Sequence, residues 1–240
     1  MRKFGLIGYP IGHSFSPGYF AEKFVKYGIK DAQYEAYNLE TLVNLQDFAA
    51  KENLSGFNVT IPHKQAIIPL LDRLSIPASE INAVNCVKLE NGKWVGYNTD
   101  YIGFKMSLAS VVKNKDKALI FGSGGSSLAV RYALHILDID YKIVSRNSNN
   151  GIGYGDVTAN LIEEHKILIN TTPLGMSPNT EFCVDIPYKI ISPYHICYDL
   201  IYNPEETLFL KKAKMRGAIV KNGLEMLKIQ ADRSWDIWNS

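Results

Sequence analysis

Four apolar residues, Ala118-Leu119-Ile120-Phe121, run straight into Gly122-Ser123-Gly124-Gly125-Ser126-Ser127, and Ala129, Ala133, Ile136 and Leu137 then recur at helical spacing. A strand that is apolar on both faces has to be covered on both sides, and a glycine turn feeding a helix supplies one of those covers. The second half of the chain is therefore predicted to be a parallel sheet wound with helices. Strands are expected at 141–144, 167–169, 196–200 and 218–220, with a helix after Pro204 that stops at Gly217. Between Arg146 and Lys166 only a short helical candidate around Leu161 is visible, so that crossover is expected to be abbreviated.

The first hundred residues alternate in the same way. A strand at 4–7 leads to a loop rich in Gly, Pro and Ser, and then to a helix with Pro17 in its first turn, Phe20, Phe24 and Tyr27 on one face, and Gly28 to stop it. A strand at 34–37 and an amphipathic helix marked by Leu42, Leu45 and Ala49 follow. In the strand 57–61, period-two geometry puts Phe57, Val59 and Ile61 on one face and Asn58 and Thr60 on the other. Asn91-Gly92 between 83–89 and 94–97 signals a two-residue hairpin, in which paired residue numbers sum to 183. Asn85 is then expected opposite Asn98, and Ala83 opposite Asp100. Leu224, Leu227, Ala231, Trp235 and Trp238 line one side of a C-terminal helix, and the three tryptophans read as packing residues.

Two groups of residues carry candidate chemistry. Gly122 and Gly124 suit a turn whose backbone approaches a pyrophosphate at a helix N-terminus. With Ser127 at the third fingerprint position, a plain tight turn is the other reading. About 20 residues on, an NAD site carries Asp or Glu, but this chain has Ser145-Arg146-Asn147. A carboxylate repels a 2′-phosphate and an arginine attracts one, so NADP is expected over NAD; a solvated surface arginine is the alternative. Lys64, just past the carboxyl end of a strand, and Asp100 form the second group. Reduction of a ketone by hydride needs a proton for the developing alkoxide, and a lysine whose orientation a neighbour fixes can give it. Taken singly, both residues are more often solvent-facing. Ser14, Ser16, Asn58, Thr60, Asn85 and Gln230 suit hydroxyl and carboxylate ligands, and His13 is read as ordering its loop.

Other classes are excluded. A net charge of +2, with no basic run, gives no footprint for nucleic acid or membrane. Cys86, Cys183 and Cys197 make no CxxC pair, so neither a disulfide framework nor a zinc site is expected, and a reducing cytoplasm fits. The N-terminal apolar run breaks at Gly5, Gly8 and Pro10, too soon for a signal peptide or a membrane span. No metal-ligand spacing and no GxSxG motif is present.

Gly8-Tyr9-Pro10-Ile11-Gly12-His13-Ser14-Phe15-Ser16-Pro17, Asn58-Val59-Thr60-Ile61-Pro62-His63-Lys64 and Gly96-Tyr97-Asn98-Thr99-Asp100-Tyr101-Ile102-Gly103 occur in this order. Asn170-Thr171-Thr172-Pro173-Leu174-Gly175-Met176, Tyr198-Asp199-Leu200-Ile201-Tyr202-Asn203-Pro204 and Met226-Leu227-Lys228-Ile229-Gln230-Ala231 follow. Together they resemble the shikimate dehydrogenase family over nearly the whole chain. The resemblance implies that Ser14 and Ser16 hold a substrate carboxylate, that Asn58, Thr60, Asn85, Tyr202 and Gln230 contact substrate, and that Lys64 is catalytic with Asp100 as its partner. It also implies that Gly122, Ser123, Gly124, Gly125, Ser126, Arg146, Thr171, Thr172, Met176 and Gly223 meet the cofactor, with no metal. The chain departs from the family at Cys86, where Thr is usual, at Glu225 in place of Gly, and at Ser145-Arg146-Asn147 in place of Asn-Arg-Thr.

The expected fold is α/β: an N-terminal α/β substrate domain with a mainly parallel sheet, residues 1–102, completed by a C-terminal helix at 223–240, plus a Rossmann-like NADP-binding domain at 103–222. The implied reaction is the reversible, NADPH-dependent reduction of 3-dehydroshikimate to shikimate, on the route to chorismate and aromatic amino acids. A cytoplasmic monomer or homodimer with no nucleic-acid or membrane partner is expected to carry it out. Three other readings stay open: a quinate/shikimate dehydrogenase accepting NAD, a non-catalytic metabolite or dinucleotide sensor, and a scaffold protein.

Overall fold

The computed structural model describes residues 1–12, 14–112, 116–146 and 151–240; His13 and Asn147, singled out above, lie outside the described residues. The chain separates into two compact units, residues 1–99 with 230–240 and residues 100–229. These boundaries differ from 102/103 and 222/223.

Unit 1 contains β1 (Arg2–Gly8), α1 (Phe15–Lys26), β2 (Ala32–Asn38), α2 (Leu45–Lys51), β3 (Leu54–Val59), β4 (Arg73–Leu74), α3 (Ile76–Ile81), β5 (Cys86–Glu90) and β6 (Lys93–Tyr97). Its sheet has the order β2-β1-β3-β5-β6-β4. The β-α-β alternation makes β1 parallel to both β2 and β3, while β5 is antiparallel to β3 and β6. The carboxyl ends of β1, β2 and β3 therefore share one edge of the sheet.

The hairpin pairs Cys86 with Tyr97 through Glu90 with Lys93, the register that a two-residue Asn-Gly turn dictates. Asn91 and Gly92 both have positive φ, 49° and 77°. One residue further the extrapolation fails. The Asn85 N–H donates to the Tyr97 carbonyl at 3.0 Å instead of to Asn98, and the Asn98 amide turns to the Ala83 carbonyl at 2.9 Å. The other correction is at Ile61, which is 63% exposed and does not share the buried face of Phe57 and Val59. β3 ends at Val59, and the Thr60 carbonyl takes the His63 N–H at 2.9 Å, so the chain is already turning when it reaches Ile61.

Unit 2 contains α4 (Asp100–Ala109), β7 (Ala118–Phe121), α5 (Gly125–Ile136), β8 (Tyr141–Val144), α6 (Ala159–Glu164), β9 (Ile167–Asn170), β10 (Ile196–Asp199), α7 (Leu208–Lys214) and β11 (Ile219–Lys221). Its sheet, β11-β10-β9-β7-β8, is parallel throughout. Every residue of β7 and β9 is buried, as apolar runs covered on both faces must be. Among its described residues the crossover from β8 to β9 holds a single turn at Tyr154–Asp156 and the six residues of α6.

α8 (Leu224–Asn239) belongs to both units, changing membership between Ile229 and Gln230. In unit 1 it packs with α1 on one sheet face around Phe4, Phe20, Phe24, Cys86, Ala231 and Trp238. Trp238 stacks on Phe4 at 4.6 Å and donates Nε1–H to the Val87 carbonyl at 3.0 Å. Only a glycine at position 56 leaves room for it, because a Cβ there would lie 2.6 Å from that nitrogen. The helix face turned inward is not purely apolar: Gln230 and Ser234, one turn apart, are 6% and 0% exposed. All three tryptophans pack within unit 1.

Candidate active site

At the carboxyl edge of β1–β3 the loop after β1 is sewn to its neighbours. Tyr9 N–H donates to the Ile61 carbonyl at 3.0 Å, Leu39 N–H to Gly8 at 3.0 Å, and Ile11 N–H to Asn38 Oδ1 at 3.2 Å. A Cβ on Gly8 would stand 2.4 Å from Thr60 Cγ2, so glycine is what lets Thr60 lie against this loop. His63, 4% exposed, bonds through Nε2 to the Leu39 carbonyl at 2.7 Å. Lys64 is half-buried on the turn that follows, and its carbonyl accepts the Val84 N–H at 2.7 Å. The lysine backbone is thereby tied to the residue beside Asn85.

Behind this edge lies a buried network of neutral polar groups, all in unit 1. Asn58 donates from Nδ2 to the Asn85 carbonyl at 3.0 Å and to Ser234 Oγ at 2.8 Å, and its Oδ1 accepts the Tyr34 hydroxyl at 2.9 Å. Asn85 donates to Thr99 Oγ1 at 2.9 Å and Gln230 Oε1 at 3.2 Å, and accepts Thr99 N–H at 2.6 Å. Burial pushes the Tyr34 hydroxyl pKa well up, so it remains a protonated donor. Buried amides and hydroxyls without partners would cost about 1–3 kcal/mol each. Among the described residues none is left unsatisfied. Thus Asn58, Asn85 and Gln230, far apart in the sequence, are brought together, and Ser16 is buried in the first turn of α1. Ser14 is half-buried as the residue before α1, and Thr60 is half-buried beyond β3.

Asp100 opens α4, directly after the Thr99 that Asn85 holds, and is 6% exposed. Sequence reasoning missed Tyr34, Thr99 and Ser234. Ser234 carries a readable signal, standing one helical turn from Gln230 on the face of α8 that turns inward.

In unit 2, Gly122 has φ +111° and a Cβ there would lie 2.6 Å from Thr171 Oγ1, whereas Gly124 faces open space. The turn therefore combines a conformation and a closeness that only glycine meets with an unobstructed backbone at the start of α5, the form that suits a pyrophosphate. Ser127, in the third fingerprint position, is 1% exposed and returns its hydroxyl to the Gly124 carbonyl at 2.6 Å. A small residue with a satisfied hydroxyl does the work of glycine there. Thr171 donates through its N–H and its hydroxyl to the Phe121 carbonyl at 2.9 and 2.8 Å. Ser123 lies between Gly122 and Gly124 and Ser126 follows Gly125, Met176 is 46% exposed, and Gly223 is pressed against Leu200, whose carbonyl would be 2.0 Å from an added Cβ. Arg146 is exposed at the end of β8 and lies near the Tyr154 hydroxyl, whose pKa burial raises and Arg146 lowers. Tyr202 is half-buried.

The loop after β9 is held by Asp199, which sequence reasoning did not single out. Its Oδ1 accepts Asn170 Nδ2 and Ile201 N–H, both at 3.0 Å, and its Oδ2 accepts the Thr207 hydroxyl at 2.6 Å. Asn170 Oδ1 passes the constraint on by accepting Thr172 N–H and Oγ1–H at 3.0 and 2.7 Å. Burial nevertheless outweighs these donors and raises the carboxyl pKa to about 6. Among the described residues no cluster of His, Cys, Asp or Glu is arranged to hold a metal ion.

A relative from Methanococcus maripaludis, named shikimate dehydrogenase (NADP(+)), is 42% identical, with 98% of this chain and 90% of the relative covered. This chain belongs to the shikimate dehydrogenase family. Residues 6–87 match the profile described as shikimate dehydrogenase substrate binding domain. A Staphylococcus aureus shikimate dehydrogenase (NADP(+)) is 39% identical over 99% of this chain and 92% of its own length. The solved shikimate 5-dehydrogenase of Thermus thermophilus, in complex with NADP(H) and shikimate, has a TM-score of 0.88 and 29% identity over 99% of this chain and 93% of its own. Two departures from the family pattern have local partners. Cys86 is fully buried among Phe4, Phe20 and Trp238, where a thiol packs as a small apolar group, and Glu225 pairs with Lys221 and accepts the Ser107 hydroxyl at 3.4 Å.

Proposed function

We propose that this chain is a shikimate dehydrogenase catalysing the reversible, NADPH-dependent reduction of 3-dehydroshikimate to shikimate, with unit 1 taking the substrate and unit 2 the dinucleotide. The observation that carries the reading is the full-length identity to NADP-dependent shikimate dehydrogenases. The chemistry of the buried network agrees with it. Neutral amides and hydroxyls at one sheet edge recognise ring hydroxyls without imposing a charge, and Ser14 and Ser16 take the carboxylate.

The Gly122–Ser126 turn, Thr171, Thr172, Met176 and Gly223 hold the dinucleotide, and Arg146 takes the 2′-phosphate. NADPH, when bound, supplies the hydride that reaches the C3 carbonyl carbon. Asn58, Thr60, Asn85, Tyr202 and Gln230 orient the ring so that its ketone has a single productive attitude. Lys64 donates the proton that the alkoxide oxygen takes up, and Asp100 fixes the lysine; in the reverse direction Lys64 receives that proton. Among the described residues no helix is long and apolar enough to cross a membrane. On the resemblance to a biosynthetic dehydrogenase, we assign the enzyme to the cytoplasm, as a monomer or homodimer that sedimentation will distinguish.

The test is turnover at the nicotinamide absorbance band with shikimate and each nicotinamide cofactor in turn, for wild type and Lys64→Ala. The variant is expected to lose about 10²- to 10⁴-fold in kcat while still binding shikimate by calorimetry. Unchanged turnover in the variant removes Lys64 from the reaction, and a wild type inert toward shikimate removes the function.

A further inference from the structure

The orientation of Asn58 follows from a neighbour with only one role. The Asn85 backbone carbonyl can only accept, so the side-chain atom 3.0 Å from it is Nδ2, and the other is Oδ1. Every remaining direction then follows. Nδ2 gives its second hydrogen to Ser234 Oγ at 2.8 Å, and Ser234 gives its own to the Gln230 carbonyl at 3.0 Å. Oδ1 can be approached only by donors, and Tyr34 supplies one at 2.9 Å. The result is a one-way chain from Tyr34 through Asn58 and Ser234 to the Gln230 carbonyl, drawn from β2, β3 and α8 and lying wholly within unit 1.

We propose that Tyr34 is a positioning residue of the substrate site: its hydroxyl on Oδ1, acting with the Asn85 carbonyl and Ser234 on Nδ2, locks Asn58 so that Asn58 meets a ligand only as a hydrogen-bond acceptor and selects a ligand hydroxyl there over a carbonyl or carboxylate oxygen. The proposal rests on unit 1 being the substrate-binding unit. With both amide hydrogens of Asn58 committed to the protein, its remaining capacity is the second lone pair of Oδ1, and a ligand oxygen facing it must bring its own hydrogen. An amide free to turn over would lose that discrimination. The Tyr34 ring has a separate anchor, stacking on Phe20 at 4.3 Å and 21°, so the hydroxyl can be removed without unseating the ring.

The experiment is steady-state kinetics of Tyr34→Phe with shikimate, and with the two analogues that each lack one of the non-reacting ring hydroxyls. For shikimate, KM is expected to rise about tenfold, the scale of one hydrogen bond's net worth, with kcat within about twofold and with the NADP+ KM and the melting temperature unchanged. For one of the two analogues, wild type and variant are expected to share the same KM, because the hydroxyl that Asn58 reads is gone. Ser234→Ala, which cuts the chain on the other side of Asn58, is expected to raise the shikimate KM in the same direction. A shikimate KM unmoved in Tyr34→Phe, or an equal penalty on shikimate and both analogues, overturns the proposal while leaving the dehydrogenase reading intact. A wild type inert toward shikimate overturns the reading beneath it.

Discussion

Asp199→Asn isolates the energetic cost of the carboxylate that braces the loop after β9. Burial raises this carboxyl from its ordinary 3.8 to about 6, and each pH unit is worth about 1.4 kcal/mol, so ionising Asp199 in the folded chain costs about 3 kcal/mol more than in the unfolded chain. The sign follows from which form is disfavoured. Below about pH 3.8 the group is neutral in both states and its contribution to stability is complete; that contribution is lost as pH rises through about 6. Asparagine keeps the shape and does not titrate. The stability of Asp199→Asn relative to wild type should therefore increase by about 3 kcal/mol between about pH 3.5 and pH 7. The fixed cost of the exchange, measured against the neutral acid that wild type carries at low pH, is the same at every pH and drops out of that difference. Tryptophan fluorescence is the wrong probe, since Trp94, Trp235 and Trp238 all lie in unit 1 while Asp199 lies in unit 2. Urea unfolding followed by far-ultraviolet circular dichroism, with hydrogen exchange at the amides of β9 and β10, reports the correct unit. A difference between variant and wild type that stays flat with pH would refute the burial reasoning.

Two further substitutions test the dinucleotide side. Gly122→Ala forces a side chain into φ +111° and to within 2.6 Å of Thr171 Oγ1; a strained φ alone costs about 1–2 kcal/mol, so the NADP+ KM should rise by about tenfold or more while shikimate affinity by calorimetry is kept. Arg146→Ala should raise the NADP+ KM about tenfold and leave the NAD+ KM unchanged, since a charge-assisted bond to phosphate is worth about 1.5–3 kcal/mol; steady-state rates with the two cofactors separate the outcomes.

What was readable in the sequence, and what was not, divides along a physical line. The apolar runs 118–121 and 167–169, the Asn91-Gly92 turn and the order of elements in each half are local patterns, and the strands and the hairpin register follow from them. β4 is two residues long, too short to show a period. α4 carries Tyr101, Ile102, Phe104, Met106 and Leu108 around its circumference instead of along one stripe, so neither element announces itself. Among candidate site residues, Ser14, Ser16, Asn58, Asn85 and Gln230 were legible only as polar residues at strand ends or on a helix, and through resemblance.

Their partners were illegible for a different reason. Tyr34, Thr99, Ser234 and Asp199 act by satisfying buried groups contributed from distant segments, and satisfaction is a property of the assembled structure. Asn58 and Ser234 are 176 residues apart, as are no two residues that a spacing rule can compare. Buried polar groups must nonetheless be paired in full, because a half-satisfied network is more costly than an apolar one. Once Asn58 and Asn85 are placed under the sheet edge, hydroxyls in the positions of Tyr34, Thr99 and Ser234 become a necessity of the fold, and their directions decide which faces of the amides remain for a ligand. On the proposal made for Tyr34, the scaffold of this site sets the polarity of its recognition, and the specificity of Asn58 is decided by a tyrosine on β2 and a serine on α8.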